Sequence, residues 1–596
     1  MNSIFVLIIG AAAIAAGYFW YARTINRNVI KPDDKKATPA KMYMDGVDFT
    51  PANRNVLFGY QFKSIAALGP ILGPIVAVQW GWLPALLWIV VGTFFIGWVQ
   101  DYASIMIGVR EEGKSFGALS YQLISPRSRM LLLIFIYFYL WLIMGSFGTQ
   151  VGFNLLTNTA VPLGVIIVIL AGILAGQMTY KWKQDIILTS VVTVVIAFLG
   201  IWLGTLPAVQ SFFRSVFGLV QNDTGAWVQG KALFGAITQA RLIGSLLVIV
   251  ICYFGAVLPI WRWAQPINYV SFWIVLAGVA AGTLGLLIWH PGMGTFEAVK
   301  AWDVPNLGPM WPILFVTIAC GAISGWHSLV SSSGTARQLE KEGDALFVGG
   351  GSMFLEMFFA LIAFLTATVA VAGFDGYVAA GGGAAPAKVF TVGLATFMSK
   401  VGVPISFGQP YGGVFLTLMA LTIMYLVVRF MRVASAEALG ARFPIIKNVH
   451  VGTIIALVLT LILIWLVPFL SIWVMFGAAN QLMASLALLL VTLWLMSKGK
   501  NYQWTFWPFV FMFITTMAAL VYKAYEAFFI LLPDAANRAK APITVGQYQV
   551  AQVVIGIIAI VLIVAAAILA YDGIKALMNL RSKQAAQPKA KAKSRA

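Results

Sequence analysis

LFGYQFKSIAALGPILGPIVAVQW, residues 57–80, decides how this chain is built. Between Ile65 and Val78 no side chain is polar, yet Gly69-Pro70 and Gly73-Pro74 set two Gly-Pro steps inside the run. Proline removes an amide donor and its ring collides with the preceding turn, while glycine lets a second backbone or a ligand approach closely. Two readings follow: a packing kink, or a helix opened where its backbone lines a cavity, the setting in which a bilayer tolerates irregular backbone.

The bilayer itself is read from the rest of the chain. Of 596 residues, 61% are hydrophobic and 10% charged, against roughly 25% charged in soluble proteins; that is too little charge to cover a water-facing surface. The apolar runs are evenly repeated, and most reach the roughly 20 residues that cross a hydrocarbon core. About 15 spans are expected, 14 to 18 according to how the runs near 388–401 and 456–496 are divided. The chain therefore reads as an all-α polytopic membrane protein with a single transmembrane domain over 1–583.

The formal charge of +19 does not point to nucleic acid, because the basic residues lie in short loops between apolar runs. With the N-terminus outside and the C-terminus cytoplasmic, most of the 39 Lys and Arg fall on the cytoplasmic side, as short-loop topology requires. Arg23 and Arg27 follow the first run, 4–21, instead of preceding it, so it reads as a retained anchor and not a cleaved signal. Residues 584–596, rich in Lys and Ala, read as a disordered basic cytoplasmic tail, either solvated or touching anionic lipid. Residues 373–410, with Gly381-Gly382-Gly383, read as a flexible external loop that either connects or acts as a lid. Cys252 and Cys320 sit far apart inside apolar runs and read as small packing residues, with no disulfide or thiolate metal site implied.

Two further interruptions stand out. Gly255 to Pro259 breaks the run 242–261, and a polar stretch extends from Gly321 through Ser324, His327, Ser328 and Ser332 to Thr335. Spans two to six and seven to eleven form two five-helix sets of opposite orientation, about 57–206 and 242–430, each opening on an interrupted helix. That is the pattern of a LeuT-like transporter with inverted repeats, with additional helices at 4–21 and 449–572. Substrate contacts are then expected at Ser64, Gly69, Pro70, Gly73, Pro74, Gly255, Pro259, Ser324, Ser328, Ser332 and Thr335.

Intramembrane ionisable groups narrow the choice further. Glu356 lies near the midplane of the tenth run, where a carboxylate is costly unless protonated, paired or hydrated. It reads as a proton or cation relay, or as a structural hydrogen-bonding group. His327 titrates in the useful range and reads as a second proton-coupling candidate or as a core histidine. Lys63 and Asp101, nearer the ends of their runs, read as anchors or gate residues, and Asn480 and Gln481 as polar glue between helices. No Walker loop, His-Glu-x-x-His, serine triad or dinucleotide fingerprint is present; Gly349-Gly350-Gly351 has no Lys-Ser or Lys-Thr after it. No enzyme, cofactor or metal site is expected.

Several motifs together resemble the carbon starvation protein A (CstA) family. They are Asn55-Val56-Leu57-Phe58-Gly59 with Ser64-Ile65-Ala66 and Gly69 to Pro74, Leu87-Trp88-Ile89 with Gln100-Asp101, Thr317 to Ser328 with Ser332-Ser333-Gly334-Thr335, Phe354-Leu355-Glu356, and Phe476-Gly477 with Asn480-Gln481-Leu482. The resemblance implies a bacterial inner-membrane transporter linked to nutrient limitation, with peptides or pyruvate as substrates. Two positions depart from the family pattern: Tyr60-Gln61 stands where a His-His pair is expected, and Tyr425 where an acidic residue is expected. Glu356 and His327 remain as the main proton-coupling candidates.

The sequence thus leads to an alternating-access symporter importing a small carboxylate or short peptide, with H⁺ as coupling ion and membrane lipid as its surroundings. The alternative is a starvation sensor or structural subunit without turnover.

Overall fold

The computed structural model describes residues 2–45, 49–371, 373–539 and 544–593, with side chains to 583. The chain is almost entirely helical. In order, the main helices are α1 Ser3–Ile30, α2 Arg54–Ile65, α3 Gly69–Trp80, α4 Trp82–Arg110, α5 Pro126–Leu155, α6 Pro162–Lys181, α7 Ile186–Gly204, α8 Gln239–Val257 and α9 Ala264–Trp289. They continue with α10 Gly325–Ser333, α11 Glu342–Thr368, α12 Pro386–Ser399, α13 Ile405–Leu439, α14 Val449–Leu466, α15 Phe469–Ser497, α16 Gln503–Leu531 and α17 Val545–Lys593. Thirteen helices among the described residues are long and apolar enough to cross a membrane, and α2 with α3, bent by 46°, makes a fourteenth. The basic tail expected at 584–596 falls where no side chain is described.

Local sequence sets the helix starts. Ser125 caps α5 ahead of Pro126 at the first position, Asp185 accepts the amides of Ile187 and Leu188 at the start of α7, and Asn448 does the same for His450 and Val451 at α14. Each such cap satisfies amides that the helix cannot pair itself, for about 1 kcal/mol.

Packing then sorts the helices into a centre and a rim. α15 is predominantly apolar and buried on every face, held by α5, α10, α16 and α17. α7 is the opposite: Ile187, Val191, Val195, Leu199 and Trp202 are exposed along one stripe. Leaving each such side chain in water forgoes about 1.5–3 kcal/mol, so this stripe belongs against lipid.

Three expectations are corrected. The run 310–326, one of the spans expected from its apolar sequence, is not one span: a short helix Phe315–Thr317 gives way to an irregular stretch before α10 begins at Gly325. Ala319 lies in that stretch at φ 51°, a left-handed conformation that costs a residue with a Cβ and marks a held, non-helical turn. Gly255 to Pro259 is no mid-span break either; α8 runs unbroken to Val257, and Pro259 turns the chain into α9. A Gly/Pro cluster ends a helix as readily as it interrupts one. Finally, 373–410 is not a loose loop. A short helix Gly373–Ala379 and α12 pack against α3, α11 and α13, with Tyr377 donating to the Ile75 carbonyl at 2.9 Å. The reason is the apolar face of α12, where Ala387, Val389, Phe390, Leu394 and Phe397 are all buried.

Candidate functional site

The two broken helices meet in antiparallel register. Gln61 Nε2 donates to Ser331 Oγ at 3.0 Å and its Oε1 accepts from Thr335. Trp326 Nε1 donates to the Ser64 carbonyl at 2.7 Å. Further along, Gly69 faces Cys320, Pro70 faces Gly321, and Gly73 faces Ile318. A Cβ added at Gly73 would sit 2.6 to 2.7 Å from the backbone O, C and Cα of Ile318, so glycine there is what lets the two openings touch.

Unwound backbone needs partners, and neighbouring helices supply them. Gln481 Nε2 donates to the carbonyls of Phe315 at 2.9 Å and Ala319 at 3.1 Å. Trp473 Nε1 reaches the Thr317 carbonyl at 3.1 Å, and Thr93 Oγ1 reaches that of Gly321 at 3.2 Å. Asn480 Oδ1 accepts from Tyr139 at 2.7 Å, Ser324 at 3.1 Å and the Trp326 amide at 3.2 Å. Asn480 and Gln481 are therefore the scaffold that holds the opening beside α10.

Beside this junction lies a chain of three ionisable groups. His327 Nδ1 is 3.0 Å from Asp101 Oδ2, and His327 Nε2 is 3.2 Å from Glu356 Oε2. All three side chains are fully buried, on α4, α10 and α11. Glu356 is in the middle of α11, and Gly349 one to two turns before it brings α11 close to α4: a Cβ at Gly349 would meet Ile105 Cδ1 at 2.7 Å. A neutral imidazole donates from one nitrogen only, so two carboxyl contacts are both favourable only if the set carries an extra proton. The Glu356 contact is near but out of hydrogen-bond line, and neither Glu356 oxygen has a hydrogen-bond partner among the described residues. Such a set has one histidine nitrogen and two carboxyl groups among which one added proton can be placed.

Lys63 is a further buried ionisable group close to the junction. Its Nζ donates to Thr422 Oγ1 of α13 at 2.8 Å, with no carboxylate within ion-pair distance among the described residues. Its place in the last turn of α2 earns about 0.3–1 kcal/mol from the helix dipole, little against the several kcal/mol that burying an unpaired ion costs. A plain anchoring role does not account for it.

Of the residues expected to contact substrate, Ser64, Gly69, Pro70, Gly73, Pro74, Ser324, Ser328, Ser332 and Thr335 fall at or beside this junction. Ser328 and Ser332 turn their hydroxyls back to Gly325 and Ser328 carbonyls, whereas the Ser64 hydroxyl is buried without a partner among the described residues. Gly255 and Pro259 lie elsewhere: Gly255 packs on Tyr425, its carbonyl accepts from Arg429 Nε at 2.9 Å, and Arg429 also reaches Leu258. Tyr425 bonds Asn268 of α9. Asp101 reads from the sequence as an anchor or gate, yet it is His327's partner. Thr93 and Thr422 carry no sequence signal that separates them from other helix residues.

The profile of the family described as "Carbon starvation protein CstA" matches residues 2–381 and 372–519. The chain is 32% identical over 380 residues to the peptide transporter CstA of Mycobacterium tuberculosis, an alignment covering 62% of this chain and 47% of that protein. It is 29% identical over 380 residues to the pyruvate/proton symporter BtsT of Escherichia coli, covering 62% and 49%. The chain thus spans about half the length of these curated relatives. Among solved structures, a manganese transporter of Eremococcus coleocola aligns with TM-score 0.42 at 13% identity, over 89% of this chain and 99% of that one. With a profile matched along most of its length, this chain belongs to the carbon starvation protein CstA family.

Proposed function

We propose that the chain is a secondary transporter that moves a small carboxylate or short peptide by alternating access, coupled to protons. The observation that carries this reading is the buried Asp101–His327–Glu356 series set against the junction of two broken helices. The polar corner around Ser64, Gly69 to Pro74 and Ser324 cradles the substrate, and Glu356, with both oxygens unpartnered, takes and releases the proton. Names of relatives support the substrate class: a peptide transporter and a pyruvate/proton symporter.

On this reading the two opposed five-helix sets begin at the two openings. The first runs from α2–α3 through α7. The second starts at 310, not at 242, and runs through α11, α13, α14 and α15, with α1, α8, α9, α16 and α17 as additions. The membrane is the cell's inner membrane, with the N-terminus outside. Uptake of labelled pyruvate and of a labelled dipeptide into proteoliposomes, with and without an inward proton gradient, tests the proposal. Gradient-stimulated uptake that Glu356→Gln removes supports it; no uptake of either compound, or full stimulation in Glu356→Gln, overturns the coupling assignment.

A further inference from the structure

Lys63 stands apart from the Asp101–His327–Glu356 series in both place and chemistry. It sits in the last turn of α2, just before the 46° bend, and ties that helix to α13. Thr422 already spends its own proton on the Leu418 carbonyl at 2.7 Å, so the amino group is the donor and the hydroxyl the acceptor. An amine can make that bond uncharged. An ammonium there has two further N–H groups and no anion, and charging it in a dry site is unfavourable until water reaches it.

The helix that carries Lys63 is exposed at its outer end and bent at its inner one. Asn53 to Val56 are exposed, Gly59 has open space where a Cβ would be, and the chain bends immediately after Ala66. Its inner half, Gln61 to Ile65, is buried, so an exposed outer end and a bend after the inner end leave a swing about that bend as its available motion.

We propose that Lys63 is a proton-carrying hinge site: uncharged, it holds α2 on α13 through Thr422, and charged, it favours an arrangement in which α2 has swung out and its amino group is wet. The proton is taken from and returned to the water that enters as α2 opens. The idea rests on α2 moving, as the transport reading requires, but the site is separate from the proton carrier proposed there. Other ionisable groups on elements packed against α2 are Tyr269 on α9, His327 on α10, Arg337 just after it, Glu342, Asp344 and Glu356 on α11, and Tyr425, Arg429, Arg432 and Glu437 on α13. All of them are left in place in the test, except that Glu356 is replaced in one control background.

Nitroxides on cysteines placed at Asn55 and Val433, exposed positions on α2 and α13, report the gap by pulsed electron-electron resonance in nanodiscs from pH 5 to pH 9. Cys252 and Cys320 are buried, and single-cysteine controls set the background. The wild-type gap should lengthen as pH falls. Lys63→Met should stay short and Lys63→Arg long at every pH, and Thr422→Val, which keeps the amine and removes its acceptor, should be longer than wild type at high pH. A Glu356→Gln background should keep the wild-type response. A gap that ignores pH in wild type, or that responds equally in Lys63→Met, overturns the proposal, whether or not any substrate is transported.

Discussion

His327 Nδ1 stands 3.0 Å from Asp101 Oδ2, although the two residues are 226 positions apart and both are buried in the core. The contact fixes the ring so that its other nitrogen faces Glu356. A carboxylate that orients a histidine sets which nitrogen is free for chemistry.

Breaking that pair should cost both stability and coupling. Asp101→Ala removes one partner of a buried charged set, a change that destabilises by about 3–5 kcal/mol. Asp101→Asn keeps an acceptor for Nδ1 and should lose less stability, yet it should lose gradient-stimulated uptake as fully. Thermal unfolding in detergent and proteoliposome uptake separate the two effects; an Asp101→Asn protein with normal stimulated uptake would refute the role of this pair.

Gly73 and Gly59 make a matched test of the junction. Gly73→Ala drives a Cβ into the Ile318 backbone, which cannot yield as a side chain tip can, so it should cost about 1–3 kcal/mol and abolish uptake. Gly59→Ala meets nothing within 4 Å and, inside a helix, should gain about 0.5–1 kcal/mol. Folding is followed by size-exclusion chromatography and transport by uptake; equal behaviour of the two variants would remove close approach as the reason for Gly73.

Asn480 holds three donors on one oxygen. Asn480→Ala leaves buried donors unpaired at about 1–3 kcal/mol each, and should lower the unfolding temperature more than Ser485→Ala, whose hydroxyl bonds only its own helix at Leu482. Differential scanning fluorimetry checks the order.

Lys500, in the turn between α15 and α16, donates to the Ile30 carbonyl at 2.6 Å. Burial, and then the neighbouring charge of Arg110, bring its amino group down from 10.5 to about 8. Because the folded chain sheds this proton before the unfolded chain does, Lys500 makes stability rise with pH between about 8 and 10.5. At pH 8 it should react with an amine-directed reagent ahead of the solvent-facing Lys35 and Lys36; mass spectrometry of the labelled peptides reads the order.

Much of this was legible in the chain itself, because a bilayer reduces the problem to length and polarity. Runs near 20 residues, the Gly69 to Pro74 interruption, the polar stretch to Thr335 and the depth of Glu356 follow from what hydrocarbon permits. Local pattern also has a limit. Gly255 to Pro259 and Gly69 to Pro74 look alike in sequence, and only the helix that arrives opposite makes one a turn capped by Arg429 and the other half of a junction. The face of α12 was visible as apolar residues, but what it covers was not. That Asp101, His327 and Glu356 form one series, and that Lys63 ends on a hydroxyl and not a carboxylate, depends on helices distant in sequence packing side by side. Side-chain charge is a property of the residue; what that charge can do is set by the neighbours and water that packing leaves it.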